Sequence, residues 1–215
     1  MPRLCSIGDH IVELSPSKVF AMRSLTLPLI LAVLALSACG GATAPPPQPV
    51  TVSSEVFSPL PLNARRLEII ENWQMPIEPP YIGHLQTPYP SNLVADWAAR
   101  VLQPAGGSGE VILDISRAAL TKVKLPRGED LQSTLTDQQD SRIRVEFEAQ
   151  LMWLQPVGGA QAMVKLAASH SITVAESSTA NDVQRAINGS LMGAIEALDR
   201  QARIEIAKLD GIVLP

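Results

Sequence analysis

The sequence predicts an α+β fold, in which one compact domain has an antiparallel sheet with two helices packed on one face, in the order β-α-β-β-β-α. Residues 141–155 and 162–174 alternate apolar and polar side chains around a Pro-Val-Gly-Gly turn, which predicts a β-hairpin with one buried face. Residues 91–102 and 179–209 carry apolar side chains three and four positions apart, the spacing of amphipathic helices.

A short strand, a helix and a longer strand are predicted before the hairpin. The β-prone run at residues 66–70 gives the first strand. Ser91 or Asn92 is a plausible N-cap for the helix, which ends before Pro104. Residues 110–125 form the long strand; we expect the inward phase that begins Val111, Leu113, Ile115 to continue through Ala119, Val123 and Leu125.

The last predicted element is a long helix that runs close to Leu209. Thr179 and Asp182, three residues apart, have a spacing related to the capping box, and Gly211 is a suitable stop. Gly189 and Gly193 lie four residues apart inside this helix. Because charged residues surround them, we interpret them as positions where the helix approaches the sheet closely, not as the contact of a membrane span.

Residues 22–39 contain the three parts of an export signal. Met22-Arg23-Ser24 is a short basic start, and an apolar run follows from residue 25 to residue 36. The run is too short to span a bilayer, which takes roughly 20 residues. We expect residues 1–38 to be removed as a signal peptide. Since residues 1–21 would make its charged region over-long, translation is predicted to begin at Met22.

The end of the signal, Leu36-Ser37-Ala38-Cys39, resembles the lipobox of bacterial lipoproteins. The resemblance implies that Leu36, Ser37 and Ala38 are recognised by the signal peptidase and that Cys39 is lipidated with diacylglycerol and palmitate. In the family's sorting rule an aspartate after the cysteine retains the protein at the inner membrane. This chain has Gly40, which implies the inner leaflet of the outer membrane, facing the periplasm. The alternatives are an ordinary secretory signal or an N-terminal membrane anchor with an incidental cysteine.

Two proline-rich segments follow the cysteine. Residues 39–60 are predicted as a flexible tether, since consecutive prolines favour polyproline II, and residues 61–215 as the periplasmic domain. Residues 75–90 combine five prolines with aromatic side chains. The candidate contacts for a protein partner are Tyr81 and Tyr89 of this segment and Trp73, which precedes it. The alternative is that the segment packs on the domain.

Charge and motif content exclude several classes of function. Without residues 1–38 the chain keeps 14 basic and 19 acidic residues, a net charge near −5, which argues against nucleic acid. No His or Cys pair has the spacing of metal ligands, and no motif predicts a cofactor. His84 lies in the proline-rich segment, and His170 on the inward phase of a strand is more typical of a hydrogen-bonded core residue than of a ligand. We therefore expect the domain not to be an enzyme.

Three functions remain as hypotheses. Over residues 60–210 the size, tether and element order resemble a lipopolysaccharide-assembly lipoprotein and the auxiliary lipoproteins of ABC-type lipid-transport systems. That resemblance implies a membrane-anchored, non-catalytic accessory or scaffold component with a protein partner in the envelope. A small-molecule or lipid-binding module, with a pocket between sheet and helices, is the alternative. A cell-envelope hydrolase that depends on His84 or His170 is the third hypothesis.

Overall fold

The computed structural model describes residues 45–53, 55–126 and 138–214, and these form an α+β domain with two α-helices on a sheet, which confirms the predicted fold class. The predicted signal peptide, with its lipobox Leu36 to Ala38, and the predicted lipidation site Cys39 lie outside the described residues. The strands are β1 (Leu60–Leu62), β2 (Arg66–Glu71), β3 (Leu102–Pro104), β4 (Glu110–Lys124), β5 (Gln139–Leu154) and β6 (Gln161–Ala175). The helices are α1 (Pro90–Val101) and α2 (Ala180–Ile206). Within this part of the chain, neither helix has the length and apolarity needed to cross a membrane.

The main sheet has the strand order β2-β4-β5-β6 and is mixed, not purely antiparallel. β4, β5 and β6 pair antiparallel, as the predicted hairpin and antiparallel sheet require, but β2 runs parallel to β4. The reason is that α1 lies between β2 and β4 in the chain, and such a crossover returns the chain in the same direction. β1 and β3 form a separate two-stranded parallel pair, which we had not predicted.

A β-bulge in β4 corrects the predicted alternation of that strand. The register with β5 shifts between Ile115 and Arg117, so the residues that face the helices change from odd to even numbers. Leu120 is consequently buried, whereas Val123, which we expected to face inward, is about half exposed. A strict period of two cannot continue through a bulge, because one strand gains an extra residue there.

The core lies between the sheet and the two helices. Alternate residues of β5 point into it, from Ile143 through Phe147 to Trp153. Trp97 of α1 is fully buried, and its Nε1 donates a hydrogen bond to Asp199 Oδ1 of α2 at 3.0 Å. Asp199 also accepts from Arg203 Nε at 2.8 Å. The buried carboxylate is therefore paired on both sides, as a charge removed from water must be.

The chain before β1 is packed against the domain along α2. Asn188 Nδ2 donates a hydrogen bond to the carbonyl oxygen of Gln48 at 2.6 Å, and Arg203 donates to the carbonyl oxygen of Ser58. Between these points the side chains of Val52 and Phe57 are buried in the core. The compact unit thus starts at Pro46, well inside the range that we assigned to the flexible tether, because its apolar side chains find a place in the core.

The N-termini of the two helices differ in how their first backbone N–H groups are accommodated. Thr179 caps α2, and Asp182 returns the hydrogen bond in a capping box, as the spacing predicted. Hydrogen bonds from the Thr179 side chain and backbone lower the pKa of Asp182. α1 differs from the prediction, since Tyr89 is its N-cap and Pro90 its first residue, with φ already fixed for a helix. Ser91 and Asn92 lie in the first turn.

Candidate functional site

The second proline-rich segment, residues 75–90, continues the sheet beyond the end of β2. The amide of Ile82 donates to Leu120 O and that of Lys122 donates to Pro80 O, both at 2.9 Å, and Tyr81 bridges Thr121. These bonds cover the free edge of β4 beyond β2. Prolines suit such an edge because they cannot extend the ladder to a further strand.

Two of the three predicted partner-contact residues are used inside the fold. Trp73 is partly buried against the core, and the Arg117 guanidinium lies over its ring, 5.6 Å from the centroid. Arg117 also pairs with Glu146 at 2.7 Å, and this hydrogen bond raises the pKa of Arg117. Tyr81 is partly buried beside β4. Ile77, between them in the chain, is 73% exposed.

The loop from Leu85 to Tyr89 presents apolar side chains to solvent. Leu85 is 68% exposed and Tyr89 is 46% exposed. The backbone that carries them is anchored on both sides. Gln86 is buried, and its backbone N–H donates a hydrogen bond to Gly83 O. The backbone carbonyl of Tyr89 accepts a hydrogen bond from the backbone N–H of Leu93 in the first turn of α1. The loop therefore holds its two apolar side chains outward on a fixed support.

A network of side-chain amides joins this loop to α2 and to the start of the domain. Gln184 Nε2 donates to Gln86 Oε1 at 2.9 Å and to Asn188 Oδ1 at 3.0 Å. Asn188 in turn binds the backbone of Gln48. We did not predict this network; its signal in the sequence is the four-residue spacing of Gln184 and Asn188, which places both amides on one side of the helix.

Two shallow cavities adjoin the loop, and the described residues that line them are all uncharged. One has a volume of about 190 Å³ and the other about 240 Å³, and they share Gln86 and Thr87. The other lining residues are Pro47, Gln48, Pro49, Leu85, Pro88, Tyr89, Asn92, Gln184 and Asn188. The candidate site is this neutral surface, which contains Tyr89, the most exposed of the three predicted contact residues, and the first residues of the compact unit.

A further cavity, of about 370 Å³, lies near the turn of the β5–β6 hairpin. Met152, Leu154 and Met163 line it from the face of the sheet that is turned away from the helices. Our alternative hypothesis placed a ligand pocket between sheet and helices, and that space is filled by the buried apolar core. The volume of the hairpin cavity lies within the range of small-ligand sites, but at a place that the sequence did not indicate.

The two histidines of the described residues lie on different elements. His84 is in a 3-10 turn at Gly83–Leu85, and His170 is on β6, directly beneath Gly193 of α2. Nδ1 of each ring is buried without a hydrogen-bond partner among the described residues, so the hydrogen bonding that we expect of an inward histidine is not found at Nδ1 of His170. The same part of the chain contains no group of three or more His, Cys, Asp or Glu side chains placed to hold a metal ion.

Comparison with known proteins gives one structural likeness to report. No protein-family model and no curated protein matches the chain. A crystal structure of a "putative lipoprotein" from Caulobacter crescentus CB15 aligns with a TM-score of 0.34 at 14% identity, covering 66% of this chain and 88% of that one. At this similarity the alignment carries no argument about function.

The two helix glycines should respond oppositely to substitution. A Cβ at Gly193 would lie 2.7 Å from the His170 ring, whereas a Cβ at Gly189 would meet nothing within 4 Å. We expect Gly189→Ala to raise the free energy of unfolding by up to ~1 kcal/mol, because alanine favours the helix. Gly193→Ala should lower it by roughly 1–3 kcal/mol through overpacking. Urea unfolding of both variants measures the difference, and equal effects would contradict the close contact at Gly193.

Proposed function

We propose that this protein is a membrane-anchored lipoprotein that faces the periplasm and acts as a non-catalytic accessory or scaffold component of an envelope-assembly or lipid-transport system. The observation that carries the proposal is the sequence Leu36-Ser37-Ala38-Cys39 after an apolar run of signal-peptide length. The compact unit begins at Pro46, seven residues after that cysteine. This order provides a lipid attachment point, a short connection and a folded domain.

The chemistry of the anchor supports permanent attachment. Each methylene buried in the bilayer contributes ~0.8 kcal/mol, and a single acyl chain holds a protein only reversibly. A diacylglycerol on Cys39, with a further acyl group on its amine, gives two or three chains and stable binding. With Gly40 next to the cysteine, we propose that the anchor lies in the inner leaflet of the outer membrane.

The accessory role is supported by the way the proline-rich segment is fixed to β4. Its backbone is hydrogen-bonded to the sheet at Pro80 and Ile82, while Ile77 projects outward. An apolar side chain on a rigid support loses little conformational entropy when it binds a protein. We therefore propose Ile77 as the contact of this segment with an envelope partner, with Trp73 and Tyr81 holding the segment in place.

Attachment of the lipid is tested by labelling with radioactive palmitate in a bacterial host. We expect the wild-type protein to incorporate label and Cys39→Ser to incorporate none, because the acceptor sulfur is lost. Cys5→Ser is the matched control, since Cys5 is the only other cysteine of the chain and precedes the predicted start of translation. Label that persists in Cys39→Ser, or that is missing from the wild type, would refute the anchor.

The partner contact is tested by photocrosslinking in cells. A photoreactive amino acid replaces Ile77 in one strain and Ile204 in another. Ile204 is the control because it is also an exposed isoleucine, 58% accessible, but lies on α2. We expect a discrete protein adduct from position 77 and none from position 204. The same adducts from both positions, or none from position 77, would remove Ile77 as the contact.

A further inference from the structure

We propose that the neutral surface formed by the loop from Leu85 to Tyr89 and the adjoining Pro47 and Pro49 rests on the lipid bilayer that holds Cys39. The occupant of this surface is then the headgroup region of the membrane, with Leu85 and Tyr89 inserted into it. This inference rests on the proposed lipoprotein anchor and adds to it an orientation of the domain.

The length of the connection keeps this surface close to the membrane. Cys39 and Pro46 are seven residues apart. Even a fully extended chain of that length spans at most about 25 Å. Pro47 and Pro49 immediately follow and line the same cavity as Leu85, and Asn188 fixes the backbone between them. The chain therefore leaves the compact unit at the surface that we assign to the membrane.

The opposite end of the domain is farther from Asn188 than the extended connection is long. α2 runs back along β6, with Gly193 against His170 and the Ala167 amide bonded to Gln201. From His170 to the start of β6 at Gln161 the strand covers roughly 30 Å. Asn188 lies on the opposite side of His170 from Gln161, because it precedes Gly193 by more than one turn of α2. The turn of the β5–β6 hairpin is thus on the order of 35 Å from Asn188. A domain that stood upright on that end would hold Asn188 about 35 Å above the bilayer, which exceeds the length of about 25 Å that the extended connection can span.

Charge selects the same surface. The mature chain has a net charge near −5, so electrostatic repulsion opposes its approach to the anionic lipids of a bacterial membrane. The residues that line the two cavities beside the loop are all uncharged. Approach of this surface to the headgroups requires no carboxylate to be desolvated, and desolvation of an unpaired charge is strongly unfavourable.

The two exposed side chains have the chemistry of the membrane interface. Tyrosine places an apolar ring toward the acyl chains and a hydroxyl among the headgroups, and leucine adds apolar area. Both are held outward by a backbone that the Gln86–Gln184 hydrogen bond fixes. The contact surface therefore already has its shape before the domain meets the membrane, and binding orders few side chains.

The test uses the full mature protein, reconstituted into vesicles of phosphatidylethanolamine with a minor fraction of phosphatidylglycerol. Lipidation blocks the sulfur of Cys39, and Cys5 is removed with the signal, so a cysteine introduced by substitution is the only free thiol. We compare Leu85→Cys and Tyr89→Cys with Val157→Cys, a control at the hairpin turn that is 76% exposed. Each thiol is labelled with an environment-sensitive fluorophore, and quenching by brominated acyl chains is measured.

The label at positions 85 and 89 should be quenched several-fold more strongly than the label at position 157. Equal quenching at all three positions would overturn the membrane contact. In a second test, a photocrosslinker replaces Leu85 in cells, and an adduct with a protein in place of a lipid would also overturn it. Failure of the anchor itself is recognised separately. In that case the unsubstituted protein does not float with the vesicles, and its Cys39 reacts with the fluorophore.

Discussion

The feature on which the rest of the structure depends is the packing of residues 46–53 and 55–58 along α2. Hydrogen bonds to Asn188 and Arg203 hold the two ends of this segment, and Val52 and Phe57 bury their side chains between them. If the segment were free, a domain anchored at Cys39, as we propose, would be connected by about 20 residues of chain and could turn any face to the membrane. Because it is packed, only six residues lie between Cys39 and Pro46, and under the proposed anchor this short connection restricts the orientation of the domain.

Asp199 connects this segment to the centre of the domain. Its carboxylate accepts from Trp97 of α1, and through Arg203 it is linked to the carbonyl oxygen of Ser58. One buried charge therefore joins both helices and the N-terminal segment. Removal of a partner from such a buried pair is costly, since the remaining charge or N–H group is left unsatisfied. The packing of the helices and the position of the N-terminal segment at Ser58 are stabilised together.

The sequence predicted those parts of the fold that depend on local patterns. The hairpin of β5 and β6 followed from strict alternation, and the start of α2 followed from Thr179 and Asp182. The β1–β3 pair escaped prediction because three-residue strands far apart in sequence carry no periodic signal. The parallel pairing of β2 with β4 is a consequence of the helical crossover between them, which the predicted element order contains but the alternation of side chains does not show. The bulge after Ile115 escaped detection for a related reason: it leaves the composition of β4 unchanged and shifts only its phase.

The candidate site was predictable in part. Tyr89 was identified because aromatic residues in a proline-rich segment favour a contact surface. The same argument selected Trp73 and Tyr81, but Trp73 packs under Arg117 and Tyr81 pairs with β4. Only tertiary structure shows which side of such a segment faces the domain. The most direct test of the anchored domain is the intact mass of the mature protein purified from membranes. We predict a chain that begins at Cys39 and carries a diacylglyceryl group on its sulfur, whereas a chain that begins at another residue, or a Cys39 without lipid, would contradict both the anchor and the short connection.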